Sequence, residues 1–397
     1  MTVTVEAGAF AHCFDPIELR EFLAEYWERQ PLALTRDEPG RFDDLLAPED
    51  LDAMLSSGRL RYPAFRLVKA GTQLDVSEYT DDVPWRPEPF AGTADVDRVV
   101  REYAAGATIV LQALHLHHRP LARFSRALEQ VLGEPVQANA YATPRDAQGL
   151  GVHHDTHDVV CLQVAGEKRW LVYPPVFDLP LPHQHYRSEM GEPGEPILDV
   201  VLRPGDTLYL PRGWLHEART SDTDSLHLTI GLKVYAWIDA VRAAVDECAS
   251  ELDFRRGVSD SAEPVDDLLA LLRGRLHPAA VVERRRERLV RTRRPVREAQ
   301  LSQLRALDQL DLDTPLMPAA TVIAGLEVGR SDVRLVFDGK EVIFPPHVRH
   351  EVEFVAAAES PFCGRDLPGA LDAKGRLVLL RRLVIEGFLR LHDGPAR

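Results

Sequence analysis

Residues 149–175 read GLGVHHDTHDVVCLQVAGEKRWLVYPP, and they include three histidines and two aspartates within six positions, HHDTHD at 153–158. On a β-strand, side chains at positions i and i+2 point to the same side. A strand through this segment would therefore place His153 and Asp155 on one face and His154 on the opposite face. Imidazole and carboxylate groups that share a face are typical of a metal site.

The sequence around this segment predicts a β-rich domain. Between residues 136 and 236, short apolar runs are separated by Gly and Pro, as in VQANAYATP, DVVCLQVAG, KRWLVYPP and SLHLTIGLKVY. Many short strands at this spacing are typical of an antiparallel barrel or jelly roll. We therefore expect an α+β chain whose core is a double-stranded β-helix, the cupin-like jelly roll, preceded by an α/β lead-in. The expected domains are residues 1–236 for that core with its lead-in, 237–312 for a charged helical region and 313–397 for a small mixed domain.

A third metal ligand must come from another strand. His216 follows PGDTLYLPRGW, a turn, a strand and a second turn that would return the chain to the first strand. Two histidines and one carboxylate on one face are the usual ligands of the non-haem Fe(II) oxygenases, so His153, Asp155 and His216 are the expected set. By alternation His157 also lies on their face, and we expect it to line the pocket or to pair with a carboxylate.

An open ferrous site of this kind needs a two-electron donor to activate O2, and the usual donor is 2-oxoglutarate. Its distal carboxylate would need a buried cation or hydroxyl groups, because an unpaired buried charge is costly. Lys168 lies one strand and one turn beyond Asp155, and Asn139 and Tyr141 share a strand face in QANAYATP. The plainer alternatives are that Lys168 and Arg169 are exposed turn residues and that Asn139 and Tyr141 only pack.

Composition restricts the partners and the compartment. The 397 residues carry a net charge of −15, which favours basic proteins or peptides as partners and argues against nucleic acid. The four cysteines lie far apart without a CxxC pair, as expected for a cytoplasmic protein. No run approaches the roughly 20 apolar residues of a membrane helix, and the N-terminus lacks the pattern of a secretion signal.

Taken together, the motifs resemble the JmjC oxygenases, and specifically their ribosomal oxygenase branch. The matching text is QANAYATPRDAQGLGVHHDTHDVVCLQVAGEKRWLVYPP, followed by PGDTLYLPRGWLHEA and SLHLTIGL, and the lead-in FLAEYWERQPLAL is also similar. The resemblance implies that His153, Asp155 and His216 are catalytic residues that bind Fe(II).

The resemblance also implies a cosubstrate site. Lys168 would bind the distal carboxylate of 2-oxoglutarate, and Asn139 and Tyr141 would line the cosubstrate and substrate pocket. One departure stands out: eukaryotic members tend to carry a Ser-Thr pair where this chain has Gly231 and Leu232. A polar contact of the cosubstrate wall is therefore missing.

The function that the resemblance implies is Fe(II)- and 2-oxoglutarate-dependent hydroxylation of an arginine or histidine side chain of a ribosomal protein. A homodimer formed by the helical region and a C-terminal winged-helix-like domain are also implied. Hydroxylation of a biosynthetic peptide and lysine demethylation are alternative reactions at the same iron site. A cupin module that binds metal without turnover is the alternative from a different class.

Overall fold

The computed structural model describes residues 5–58, 60–258 and 265–392. The chain divides into two compact units, Met1–Val234 and Tyr235–Arg397. None of the helices described is long and apolar enough to cross a membrane.

The first unit contains the β-rich core and the lead-in. Its helices are α1 (Val5–Phe14), α2 (Leu19–Glu21), α3 (Pro48–Ser56), α4 (Val96–Ala104) and α5 (Arg119–Leu132). Its strands are β1 (Leu32–Leu34), β2 (Phe65–Lys69), β3 (Thr72–Gln73), β4 (Thr80–Val83), β5 (Phe90–Ala94), β6 (Thr108–Leu111), β7 (Val136–Thr143), β8 (Asp158–Gly166), β9 (Lys168–Tyr173), β10 (Leu198–Leu202), β11 (Thr207–Leu210), β12 (Leu215–Arg219) and β13 (Ser225–Leu232).

Two antiparallel sheets form the core. The larger sheet has the order β1-β11-β8-β13-β7-β6-β2-β3, and the smaller sheet has the order β10-β9-β12. Val159 and Cys161 of β8 pack with Trp170 and Val172 of β9 in one apolar cluster, so the two sheets face each other. The expected jelly-roll core is thereby confirmed.

The other face of the larger sheet is covered by helices of the lead-in. Alternate residues of β8, such as Val160 and Leu162, belong to a second cluster that also contains Leu121 and Leu128 of α5. Because both faces of β8 are buried, its sequence is a continuous apolar run rather than an alternating one.

The second unit has a core of its own. Its helices are α6 (Trp237–Cys248), α7 (Val265–Arg275), α8 (Pro278–Thr292), α9 (Gln300–Ala306), α10 (Arg349–Ala356) and α11 (Ala373–Ile385). Its strands are β14 (Leu316–Pro318), β15 (Ala324–Val328), β16 (Val333–Phe337), β17 (Lys340–Phe344) and β18 (Leu389–Leu391). The antiparallel sheet β15-β16-β17 packs with α10 and α11 around Leu335, Val352 and Leu380.

One expectation about local structure is wrong. His153 to His157 lie before β8, which begins at Asp158, and they do not form a regular strand. His153 instead makes a single antiparallel bridge with His216, in which each backbone N–H donates to the other residue's carbonyl at 3.1 and 2.8 Å. This bridge, rather than strand alternation, brings the two histidines together.

Candidate metal centre and its cavity

The structure brings His153, Asp155 and His216 together. One ligand atom from each lies within 4.8 Å of the others. Nε2 of His216 is 3.7 Å from Oδ2 of Asp155, and the rings of His153 and His216 have centroids 4.4 Å apart. Two imidazole nitrogens and one carboxylate at this spacing fit a divalent first-row transition metal.

Backbone carbonyls hold both imidazole rings in position. Nδ1 of His153 lies 2.8 Å from the carbonyl oxygen of Gly151, and Nδ1 of His216 lies 3.1 Å from that of Trp214. A ring that donates from Nδ1 keeps the lone pair of Nε2 for a metal. The arrangement therefore matches the tautomer that a histidine ligand needs.

The protonation states of the cluster also suit a cation. Burial, with the nearby His153, lowers the pKa of His216 to about 4. Burial acts to raise the pKa of Asp155, but the surrounding histidines outweigh it and hold that pKa below its usual value. A neutral imidazole and an ionised carboxylate are the forms that bind metal.

The other residues of HHDTHD have different surroundings. His154 is buried, and its ring packs edge-on against Tyr186 with centroids 5.6 Å apart. Asp158 is fully buried and accepts a hydrogen bond from the Tyr209 hydroxyl at 2.5 Å, so it belongs to the core. The ring of His157 lies against Gly231, where a Cβ would approach it to 2.6 Å.

The departure from the eukaryotic pattern at Gly231 is thus explained by packing. Gly231 leaves the space that His157 occupies, and His157 in turn reaches Gln137, with 3.4 Å between Nε2 of the histidine and the amide nitrogen.

A cavity of about 280 Å³ opens beside His153, Asp155 and His216 and extends between the two sheets. Lys168 lines it and is only 4% exposed. Its Nζ donates to Oγ1 of Thr143 at 2.9 Å, and Oγ1 of Thr108 donates to the same oxygen at 3.1 Å. Within residues 5–58, 60–258 and 265–392, no carboxylate contacts this ammonium group.

Burial lowers the pKa of Lys168 to about 8. An ammonium group held in a cavity without a counter-charge favours an anionic ligand, because a carboxylate would offset the cost of burying it. The plainer alternative, in which Lys168 is an exposed turn residue, is wrong for this lysine. Arg169 is partly exposed and pairs with Asp199.

Tyr141 and Asn139 differ in their positions. Tyr141 lines the cavity, and burial with the nearby Asp155 raises its pKa to about 12, so its hydroxyl is protonated. The side-chain oxygen of Asn139 accepts a hydrogen bond from the backbone N–H of Ala113 at 2.9 Å, and Asn139 is not among the residues that line this cavity. Its role at the cosubstrate stays a prediction.

Two further basic side chains line the cavity and were not expected from the sequence. His227 is buried and stacks on Tyr141 with ring centroids 5.0 Å apart. Arg66 reaches the cavity from β2, more than 80 residues before the HHDTHD segment. The alternation of SLHLTIGL places His227 and Thr229 on one face, but no sequence signal pointed to Arg66.

Comparisons with known proteins show which proteins this chain is similar to. Residues 111–239 match the family model of the JmjC domain. The bifunctional lysine-specific demethylase and histidyl-hydroxylase NO66 of Drosophila persimilis is 34% identical over 230 residues, which cover 57% of this chain and 32% of that protein. Ribosomal oxygenase 1 of Gallus gallus is 32% identical over 264 residues, which cover 64% of this chain and 42% of that protein. The chain thus spans less than half the length of these relatives.

Solved structures show the same fold over almost the whole chain. In the alignment with the structure of E. coli ycfD, 95% of this chain and 98% of the ycfD chain are covered, with a TM-score of 0.57 and 19% sequence identity. In the alignment with E. coli YcfD in complex with cobalt and 2-oxoglutarate, 96% of this chain and 99% of the YcfD chain are covered, with a TM-score of 0.55 and 18% sequence identity. The match of residues 111–239 to the JmjC model and the sequence similarity to ribosomal oxygenase 1 confirm the resemblance expected from the sequence.

Proposed function

We propose that this protein is a 2-oxoglutarate-dependent dioxygenase that hydroxylates a protein side chain, with Fe(II), 2-oxoglutarate and O2 as cofactor and cosubstrates. The observation that carries the proposal is a single cavity lined by both the His153, Asp155 and His216 cluster and the buried, unpaired ammonium of Lys168. The first feature fits a ferrous ion, and the second fits the far carboxylate of a dicarboxylic 2-oxo acid. The complex of YcfD with cobalt and 2-oxoglutarate supports the same pairing of ligands.

Each residue would have a distinct task. His153, Asp155 and His216 would hold the iron, which supplies oxygen activation when bound together with 2-oxoglutarate. Lys168 and the Thr143 hydroxyl would bind the distal carboxylate, and Tyr141 would offer a protonated hydroxyl to the cosubstrate or substrate. Apolar side chains from both sheets, such as Val159 and Trp170, would exclude water from the reacting groups.

We propose a basic ribosomal protein as the substrate, with an arginine or histidine side chain as the target. The net charge of −15 would accelerate the encounter with a basic partner. The relatives named ribosomal oxygenase and histidyl-hydroxylase support this substrate class. A biosynthetic peptide is the alternative substrate.

We further propose a cytoplasmic homodimer. The four cysteines form no disulfide, which suits a reducing compartment. In the second unit, the helical region would supply the dimer contact. The packing of α10 and α11 on the sheet β15-β16-β17 supports a winged-helix-like domain there.

The experiment is an incubation of the iron-loaded protein with 2-oxoglutarate and peptides from basic ribosomal proteins, in which succinate and peptide mass are measured. We expect succinate together with a peptide that gains the mass of one oxygen atom. Succinate without that gain would retain the oxygenase and exclude these peptides. Bound metal without succinate, for every peptide, would contradict turnover and favour the cupin module.

A further inference from the structure

Arg66 is a second cation of the cavity. It lies on β2, where it pairs in register with Val110 of β6, and Val110 pairs with Tyr141 of β7. All three residues line the cavity that holds the candidate iron ligands. The Nε atom of Arg66 is buried without a hydrogen-bond partner, and among the residues described here no carboxylate forms an ion pair with its guanidinium.

The cavity offers this cation no fixed counter-charge. Asp155 is the only carboxylate among the lining side chains described, and it belongs to the metal cluster. Glu217 is next to His216 in sequence, but its carboxylate accepts hydrogen bonds from Tyr173 at 2.8 Å and Gln148 at 2.9 Å, and it does not line the cavity. A guanidinium group remains charged at every physiological pH.

The charges can be counted for the loaded site of the proposed function. A divalent metal with Asp155 leaves one positive charge, and a protonated Lys168 adds a second. The two carboxylates of 2-oxoglutarate neutralise both. Arg66 is then the one uncompensated charge of the cavity, and it is positive.

We propose that Arg66 is a charge filter that excludes cationic side chains, so that the protein hydroxylates a neutral side chain, histidine rather than arginine. This inference rests on the proposed function and narrows its substrate class. An arginine or lysine side chain would have to enter beside a like charge with no carboxylate to pair with, and such burial is strongly unfavourable. A neutral imidazole carries no such penalty, and the guanidinium N–H groups of Arg66 can donate to its unprotonated nitrogen.

The test compares arginine with citrulline, which has nearly the same shape without the charge. The protein is loaded with Mn(II) and 2-oxoglutarate without oxygen, and the N-acetyl methylamides of arginine, citrulline and histidine are added separately. Line broadening of each probe by the manganese in NMR spectra gives its affinity. We expect citrulline to bind at least tenfold more tightly than arginine to the wild-type protein.

Variants assign the effect to Arg66. Arg66→Gln should reduce the difference between citrulline and arginine to less than threefold, whereas Arg66→Lys should retain it. Arg61→Gln is the matched control, because Arg61 lies over the ring of Phe90, 4.3 Å from its centroid, and does not line the cavity. That variant should keep the full difference.

Equal binding of arginine and citrulline to the wild-type protein would overturn the inference, as would a difference that Arg66→Gln leaves unchanged. Hydroxylation of an arginine peptide at a rate similar to that of the matched histidine peptide would overturn it while leaving the proposed function intact. Failure of the proposed function would show itself separately, as the absence of succinate with iron and every peptide.

Discussion

Two adjacent histidines provide a matched test of the metal centre. His153 faces Asp155 and His216, whereas His154 packs on Tyr186. We expect His153→Ala to weaken Co(II) binding by at least about 100-fold, since loss of a ligand should exceed the 10–100-fold effect of losing an outer partner. His154→Ala should change the affinity only a few-fold. Titration of the cobalt absorption bands measures both, and equal losses in the two variants would contradict the assignment.

Lys168 should make stability depend on pH in a particular window. Its folded pKa of about 8 lies below the ordinary 10.5, so the unfolded chain binds the extra proton between those values. Stability should therefore rise as pH increases from about 8 to about 10.5 in the protein without cosubstrate. Lys168→Met keeps a side chain of similar length without the charge, and this variant should lack the rise. Across the window, the free energy of unfolding of the wild type should therefore increase by about 3 kcal/mol relative to that of the variant.

Urea unfolding at pH values across that window measures the difference between wild type and Lys168→Met. The same variant should raise the KM for 2-oxoglutarate at least about tenfold while changing kcat less, because a uniform binding contact is removed. Parallel stability curves together with an unchanged KM would show that Lys168 is neither desolvated nor in contact with the cosubstrate.

Gly231 and His157 should be coupled. A Cβ at position 231 would lie 2.6 Å from the His157 ring and 3.0 Å from Cγ of Gln137. We expect Gly231→Ala to lower the free energy of unfolding by about 1–3 kcal/mol, the usual cost of overpacking. In the His157→Ala background the same substitution should cost much less, and a double-mutant cycle from urea unfolding gives the coupling. Additive effects would show that the ring moves aside freely.

At the scale of elements, the turn between β8 and β9 determines where Lys168 lies. Gly166 has φ of +62°, and a Cβ there would lie 1.9 Å from the carbonyl oxygen of Asp224. Both left-handed strain and backbone overlap oppose any side chain, so Gly166→Ala should cost about 2–5 kcal/mol. Gly194→Ala is the control, because no atom lies within 4 Å of its Cβ position. Thermal unfolding compares the two, and similar shifts would contradict the argument.

The sequence predicted the elements whose residues are close in the chain. The apolar run DVVCLQVAG is a local signal, and the strand that it predicts, β8, exists. The strand expected at HHDTHD does not, because the bridge to His216 takes the place of a ladder. That bridge joins residues 63 positions apart in the chain, and no local pattern encodes it.

The same reason explains which cavity residues were missed. Arg66 reaches the site only because β2 pairs with β6, and β6 with β7, in one particular register. A single sequence carries no record of that register. The candidate ligand residues were recognisable because histidines and aspartates so close together are unusual in a strand-rich segment. A single arginine in an arginine-rich chain gives no comparable signal.

At the scale of the whole molecule, α7 packs against α6 but leaves much of its apolar surface exposed in the described part of the chain. This helix reads VDDLLALLRGR, and none of its residues is buried. Leu269 is 56% exposed, and Leu271 is 38% exposed. A helix that leaves leucines exposed beyond its contact with a neighbour gains stability when a further surface covers them. We take that surface to be a second copy of this chain, in line with the proposed homodimer.

The dimer should therefore depend on α7. We expect light scattering at micromolar concentration to give the mass of two chains for the wild-type protein. The double variant with Leu269→Asp and Leu271→Asp should have a mass closer to that of one chain. Val378→Asp is the control, because Val378 lies on α11, outside residues 237–312, and is at least as exposed, at 61%, as the two leucines. In a symmetric dimer, the two introduced aspartates of one chain would be buried against the same two aspartates of the other chain without a counter-charge. This repulsion is the reason for the expected dissociation. A wild-type protein that stays monomeric, or a dimer that survives both substitutions in α7, would place the covering surface elsewhere.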